Sequence, residues 1–414
     1  MKIFLHRNID RIVKAILNYT ATWLVLMIIQ VSCIGFQQQT EFSGFHEVTS
    51  HTLPANLMWS YESAEPLRVP PRANHEMIIL LQTDGVFVAL DLETGAALWE
   101  YDKQSGTSWP VSDMPYDVND QILVTVIDHK YLAVIDVLKG QELWQVELNV
   151  VSNNMPDVFL IEDVVIVSSW AITEPRTGGY VAGYDLITKK LIMEQYYPSR
   201  LFQFSFRCPQ YSQGSSEYTV CVALGDYLEV FNFDPQLQDV LLRKQDSRYG
   251  EGQFWSIDRP VFKQGFIFSN LSPQPANQVI DIFQDESFAL FDSCQTKQGP
   301  PPVTEYEDMI LVSTGCGELY TLDIASVREQ PEWVFPTSEF VQSSFVTLDG
   351  VVGYILSNQA EIIGVDLNTG VDVGRFTTSP ASLNKGKYLH SLGGQGSYLY
   401  AFFNGRQLFV FKEE

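Results

Sequence analysis

MIILLQTDGVFVALDLETGAALWEYD, residues 77–102, is the stretch from which the fold is read. It holds three strand-like runs separated by turn signals. Asp84-Gly85 marks a hairpin turn between the first two. Asp91 to Gly95 marks the next turn. There an aspartate can accept backbone N–H groups ahead of it, and a glycine can take the positive φ that other residues avoid. Trp99 falls on the following strand, where a large flat side chain can fill the gap to a neighbouring sheet.

The unit recurs along the chain. QILVTVIDHKYLAVIDVLKGQELWQVEL sets Asp136, Gly140 and Trp144 in register. DVVIVSS…GGYVAGYDLITKKLIMEQY sets Asp185 and Thr188, with Met193 in the tryptophan position. YTVCVALGDYLEVFNFDPQLQDVLLRKQ keeps the strands without the signature, and GFIFSNLSPQPANQVIDIFQDESFALFDS carries a Pro-rich insertion. DMILVSTGCGELYTLDIASVREQPEWVF recovers Asp323, with Trp333 two residues late. VVGYILSNQAEIIGVDLNTGVDVGRF has Asp366, Thr369 and Gly370. The aspartates fall at multiples of a period in the mid-forties, and such a period built from strands alone is the mark of a β-propeller.

Shorter runs, Leu201 to Arg207, Phe254 to Arg259 and Gln342 to Thr347, are expected as innermost strands. The last unit, GSYLYAFFNGRQLFVFKEE, stops short of an outer strand. Near the start, NLMWSYE, residues 56–62, is an outer strand without a blade, and its Trp59 matches Trp99 and Trp144. Joining the two closes the ring and leaves no long open edge. The expected fold is therefore all-β: an eight-bladed propeller closed by an N-terminal outer strand, or a seven-bladed one if the Pro-interrupted fifth unit is not a blade.

Val88 to Trp99 resembles the PQQ-like repeat of quinoproteins and their non-enzymatic relatives. Residues 134–144 and 364–370 resemble it less closely. The resemblance covers residues 56–414 and has two branches. One is the quinoprotein dehydrogenases. The other is the BamB-type lipoprotein scaffold of outer-membrane protein assembly, to which a leader, a linker and an N-terminally closed ring are similar. In the dehydrogenases the resemblance implies adjacent cysteines, oxygen ligands for calcium and a catalytic aspartate. This chain has no two cysteines adjacent. Its repeat aspartates occupy one structural position over and over, which a single active site does not require, so they read as turn residues.

Other chemistry has no better footing. The six histidines are scattered without metal-ligand spacing. There is no Gly-x-Ser-x-Gly elbow and no Walker loop. Gly393-Gly394-Gln395-Gly396 reads as a turn between strands, with no helix after it to hold phosphate. The expectation is no enzyme, no cofactor and no metal site.

The formal net charge of -24 repels phosphate backbones and sets nucleic acid aside as a partner. Lys2, Arg7, Arg11 and Lys14 precede a mostly apolar run from Ala21 to Phe36. Residues 1–36 are a signal peptide or membrane anchor with the N-terminus inside, and 37–55 are a linker. The run is barely long enough to span a bilayer. Three fates stay open: retention as an anchor, cleavage after Gly35, or lipidation at Cys33, where Val31-Ser32-Cys33 resembles a lipobox and Gln30 departs from it.

Cys208 and Cys221 flank one loop and are expected to form a disulfide; Cys294 and Cys316 are a second candidate pair, with buried free thiols as the alternative. The expected insertions are 171–179, 209–217, 243–254, 272–277 and 295–302. In the stretch RKQDSRYGEGQFW, residues 243–255, Arg243, Lys244, Arg248, Tyr249 and Trp255 form the candidate partner patch, since Arg and aromatic residues anchor interfaces. The functional expectation is a membrane-attached, extracytoplasmic, monomeric propeller that binds another protein. The alternatives are a cell-surface ligand or polysaccharide sensor and a quinoprotein dehydrogenase.

Overall fold

In the computed structural model the described residues run from Ser50 to Glu413, with the longer breaks at 103–115, 150–156, 198–202, 209–217, 247–260, 270–277, 290–302 and 378–390. Between 197 and 303 the strands are described by backbone alone. Among these residues the strands form eight antiparallel sheets, seven of four strands and one of five. The only helical element described is a short 3-10 turn, Ile324–Ser326. Repeated four-stranded antiparallel sheets of this kind are the architecture of a β-propeller.

The first sheet is Arg72–Ala73, Met77–Leu81, Phe87–Asp91 and Ala97–Tyr101. The second is Tyr116–Val118, Ile122–Ile127, Tyr131–Asp136 and Gln141–Glu147. The third runs from Asp157–Ile161 through Val164–Thr173 and Arg176–Asp185 to Leu191–Tyr197. Five more follow: the fourth to sixth keep this meander order, the seventh keeps it with one added edge strand, and in the eighth Ala55–Glu62 lies at the edge beside Gln407–Glu413. The innermost strands neighbour one another in chain order from sheet to sheet, and that of the eighth neighbours that of the first.

The apolar pattern follows from this stacking. Met77–Leu81 is buried at every position because both faces of its sheet are covered. Ile78 and Leu80 pack with Phe402 and Val410 of the eighth sheet. Met77, Ile79 and Leu81 pack with Leu123, Ala133 and Ile135 of the second. Among the described side chains the core therefore lies between sheets, at roughly 1.5–3 kcal/mol for each large apolar side chain buried.

The junctions share a second device. Trp99 lies flat on the turn of the second sheet and donates its indole N–H to Val137 O at 2.7 Å. A Cβ on Gly140 would stand 2.6 Å from that indole. Trp59 does the same to Leu92 O at 3.0 Å and covers Gly95. Trp333 does it to Leu367 O at 2.8 Å and covers Gly370. The three glycines have φ of 72°, 64° and 68° for Gly95, Gly140 and Gly370. Left-handed backbone and close approach both demand glycine there. Between the second and third sheets Trp144 and Leu186 both pack on the buried apolar layer, and Lys189 holds the glycine's place at φ 61°.

Several expectations need correction. Residues 171–179 are not an irregular insertion: the hairpin ladder runs unbroken from Val164↔Asp185 to Thr173↔Arg176. Gly393, Gly394 and Gln395 are not a turn. They lie in the innermost strand Ser391–Gln395, and the turn is at Gly396. A Cβ on Gly394 would meet the Phe345 ring and one on Gly393 the Tyr400 ring, so these glycines admit aromatic faces rather than bend the chain. The innermost strand of the fifth sheet is Val261–Lys263, and the expected run 254–259 lies outside the described residues. Ser50–His51, within the stretch read as linker, adds a fifth strand to the seventh sheet by pairing with Phe376 and Thr377.

Two substitutions test the turn geometry. Gly140→Ala places a methyl against the Trp99 ring at positive φ and should cost more than about 2 kcal/mol. Lys189→Gly relieves a left-handed lysine and should gain about 1 kcal/mol. Denaturant unfolding of both variants against the parent chain reads the two signs.

Candidate functional site

The repeat aspartates are engaged in their own turns. Asp91 accepts Thr94 N at 2.7 Å and Thr94 Oγ1 at 2.6 Å. Asp136 accepts Leu138 N and Lys139 N, both at 3.0 Å. Asp185 accepts Thr188 N, Asp323 accepts Ala325 N at 2.8 Å, and Asp366 accepts Asn368 N and Thr369 N, both at 2.9 Å. An Asp–x–x–Thr/Lys–Gly spacing delivers these bonds because the turn curls its N–H groups back over the carboxylate. The hydroxyl and amide of Thr94 hold Asp91 below the usual carboxylate range, and Lys139 does the same for Asp136.

A charged cluster lies on the innermost strands of the first three sheets. Arg72 Nη1 stands 3.7 Å from Asp117 Oδ1, and the charge of Asp157 also favours the guanidinium. Asp117 Oδ2 accepts Leu160 N of the third sheet at 2.9 Å. The neighbouring Tyr116 donates to Ile79 O at 2.8 Å. Arg72 lies among these groups, yet 39 % of its side chain still reaches solvent. Burial pushes the Tyr400 phenol up to about 12 against the opposing pull of Arg72, and it pushes Tyr116 up as well. Both phenols stay neutral. The cluster ties three sheets together at their inner edge and offers a small, mixed-charge polar face. Among the described residues no three His, Cys, Asp or Glu side chains converge as a metal centre would need.

Arg243 and Lys244 fall on the outer strand Asp239–Asp246 of the fourth sheet, not in a loop; Arg248, Tyr249 and Trp255 lie outside the described residues. Cys208 and Cys221 sit on adjacent strands, Cys208 opposite Thr219 and Cys221 opposite Phe206. They are thus diagonal rather than directly opposed, a wider placement. Cys33, Cys294 and Cys316 lie outside the described residues. Among the described residues no helix is long and apolar enough to cross a membrane.

Sequence reading missed the inner turns. Asn74 accepts Glu76 N and Met77 N, at 3.0 and 2.9 Å, and passes its amide to Asn119 O at 3.1 Å. Asn119 caps the next sheet in the same way. The signal was there as an asparagine repeating with the aspartates.

Residues 43–169 match the family model described as outer membrane protein assembly factor BamB. Among curated proteins none matches. Among solved structures the chain is similar to the computationally designed Ika8 protein, at TM-score 0.61 and 13% identity, covering 86% of this chain and 99% of that one. It is similar to BamB from Moraxella catarrhalis at TM-score 0.56 and 13% identity, covering 86% and 97%. It is also similar to the quinohemoprotein alcohol dehydrogenase from Comamonas testosteroni at TM-score 0.58 and 11% identity, covering 87% and 76%. The fold is that of a β-propeller, and the repeat family is matched over residues 43–169.

The turn carboxylates carry a pH dependence. Asp91 and Asp136 are held below their ordinary value of 3.8 in the folded chain. Their contribution is complete above that value and is lost as pH falls through the lower, folded one. Asp91→Asn with Asp136→Asn keeps the turn acceptors and removes the charge. Thermal melts from pH 7 to 3 should therefore converge for parent and double variant at the acid end, with the parent more stable at neutrality.

Proposed function

We propose that the chain is a non-catalytic, extracytoplasmic scaffold that binds another protein in the cell envelope, attached to the membrane through its N-terminal segment. Its body is an eight-bladed ring, closed where residues 55–62 supply the outer strand of the last sheet. The match of residues 43–169 to an outer-membrane assembly factor is the observation that carries the reading. Two features support the ring. Ala55–Glu62 pairs with Gln407–Glu413, from Ala55↔Glu413 to Glu62↔Gln407, across nearly the whole described chain. Trp59 then reaches Leu92 of the first sheet.

The spent turn carboxylates also favour a scaffold. Each repeat aspartate is committed to backbone N–H groups, so these residues are poor candidates for metal or base roles. A propeller of this kind presents loops and rims for recognition while its core stays fixed.

Cross-linking in cells, followed by affinity purification from solubilised membranes and mass spectrometry, tests the reading. The expected result is a reproducible protein partner of the outer-membrane β-barrel assembly class. Recovery of no specific protein would sink it. A stoichiometric bound quinone in the absorption spectrum, with substrate-dependent dye reduction, would replace it with the dehydrogenase reading.

A further inference from the structure

The outer strands share an irregularity that the sequence pattern does not announce. In six sheets the ladder between third and outer strand slips by one residue at an equivalent position, immediately before the tryptophan position or its counterpart. The extra residues are Met58, Leu98, Leu143, Ile192, Arg243 and Val373. A bulge of this kind bends an edge strand and re-aims the bulged side chain.

Exposed apolar surface gathers at this corner. Of the nine large hydrophobic residues exposed among the described ones, four are bulge residues, Met58, Leu98, Leu143 and Val373. Three more, Leu138, Ile187 and Val371, lie at the turn leading into the bulged strand. Singly scattered exposed leucines need no explanation, but seven of nine at the equivalent corner of five sheets do. The second sheet is the clearest case, with Leu138 56% and Leu143 51% exposed. The fold gains little from leaving such side chains half in water.

The charge around them is one-sided. Exposed Glu93, Glu100 and Glu142 flank the corner on the first two sheets. The nearest cation there, Lys139, is already paired with Asp136 at 2.8 Å. On the third sheet the sign changes, with exposed Lys189 and Lys190 beside Ile187.

We propose that the corner formed by Leu98, Leu138 and Leu143 docks a protein segment carrying an apolar ridge flanked by lysine and arginine, its basic residues over the first and second sheets. The apolar centre supplies contact area and the carboxylate border supplies steering and register. A second copy of this acidic chain would meet like charge on the same border, and an anionic membrane would be repelled. This deepens the scaffold reading and rests on it.

A photo-reactive phenylalanine analogue at position 98, 138 or 143 of the full chain, irradiated in cells, tests the proposal, with Val351 as an exposed position off the corner. The expected result is one dominant protein adduct at the three corner positions and none at 351. Its mapped peptide should carry apolar residues flanked by Lys or Arg. Glu93→Lys with Glu100→Lys should cut the adduct yield by about tenfold or more, since reversed rim charges slow encounter. Adducts to lipid, to a second copy or to an acidic peptide, or no adduct at all, would overturn the proposal. If affinity purification still recovers a specific partner in that event, the scaffold reading stands and only this docking corner falls.

Discussion

An indole lying on a glycine of the next sheet is the contact on which the rest of the structure leans. Sheets stacked side by side bury apolar layers between them, but apolar layers alone are non-directional and let sheets slide. The indole N–H to a specific carbonyl, Trp99 to Val137 and Trp333 to Leu367, fixes the register of one sheet on the next. For the ring to lie that close, the turn beneath it must lack a Cβ and take a left-handed residue. The aspartate four positions earlier accepts the amides that this curl brings round, and the bulge before the tryptophan aims the ring. Four local features, aspartate, glycine, bulge and tryptophan, therefore serve one junction.

Where an element of this set is missing, its neighbours show what it contributed. Lys189 carries the left-handed backbone without glycine, and its amide still bonds Asp185 O at 2.8 Å, as Gly140 bonds Asp136 O. The backbone curl is thus set by the turn's own hydrogen bonds, while the glycine serves the indole. At the sixth sheet the tryptophan comes late in sequence. The short 3-10 turn Ile324–Ser326, capped by Asp323, takes up the added length, and Trp333 still covers Gly370 from the coil before the outer strand.

These features explain what was legible. The Asp–Gly–Trp period is visible because one junction geometry demands the same residues each time, so fold class and most strands could be read directly. The inner strands were harder. Thr304 reaches Ser344, and Ser343 accepts Leu392 N, so neighbouring inner strands meet through short polar side chains that carry no periodic apolar signal. Ser391–Gln395 was misread for the same reason, its glycines serving aromatic faces rather than a bend. The long third-sheet hairpin was missed because Thr177, Gly178 and Gly179 look like loop residues, although the ladder holds them in a strand. The bulges left no mark that composition could reveal. Nor could the Arg72–Asp117–Asp157 cluster be foreseen, since its members come from three sheets and meet only when the inner strands stand side by side.

A double-mutant cycle on Trp99 and Gly140 probes the junction most directly, with unfolding free energies measured for Trp99→Ala, Gly140→Ala and the pair. If the indole and the bare glycine are one device, the glycine substitution should cost far less once the indole is gone, with a coupling of about 1–3 kcal/mol. Costs that simply add, within about 0.5 kcal/mol, would mean that the two residues act independently and that apolar layering alone holds the sheets in register.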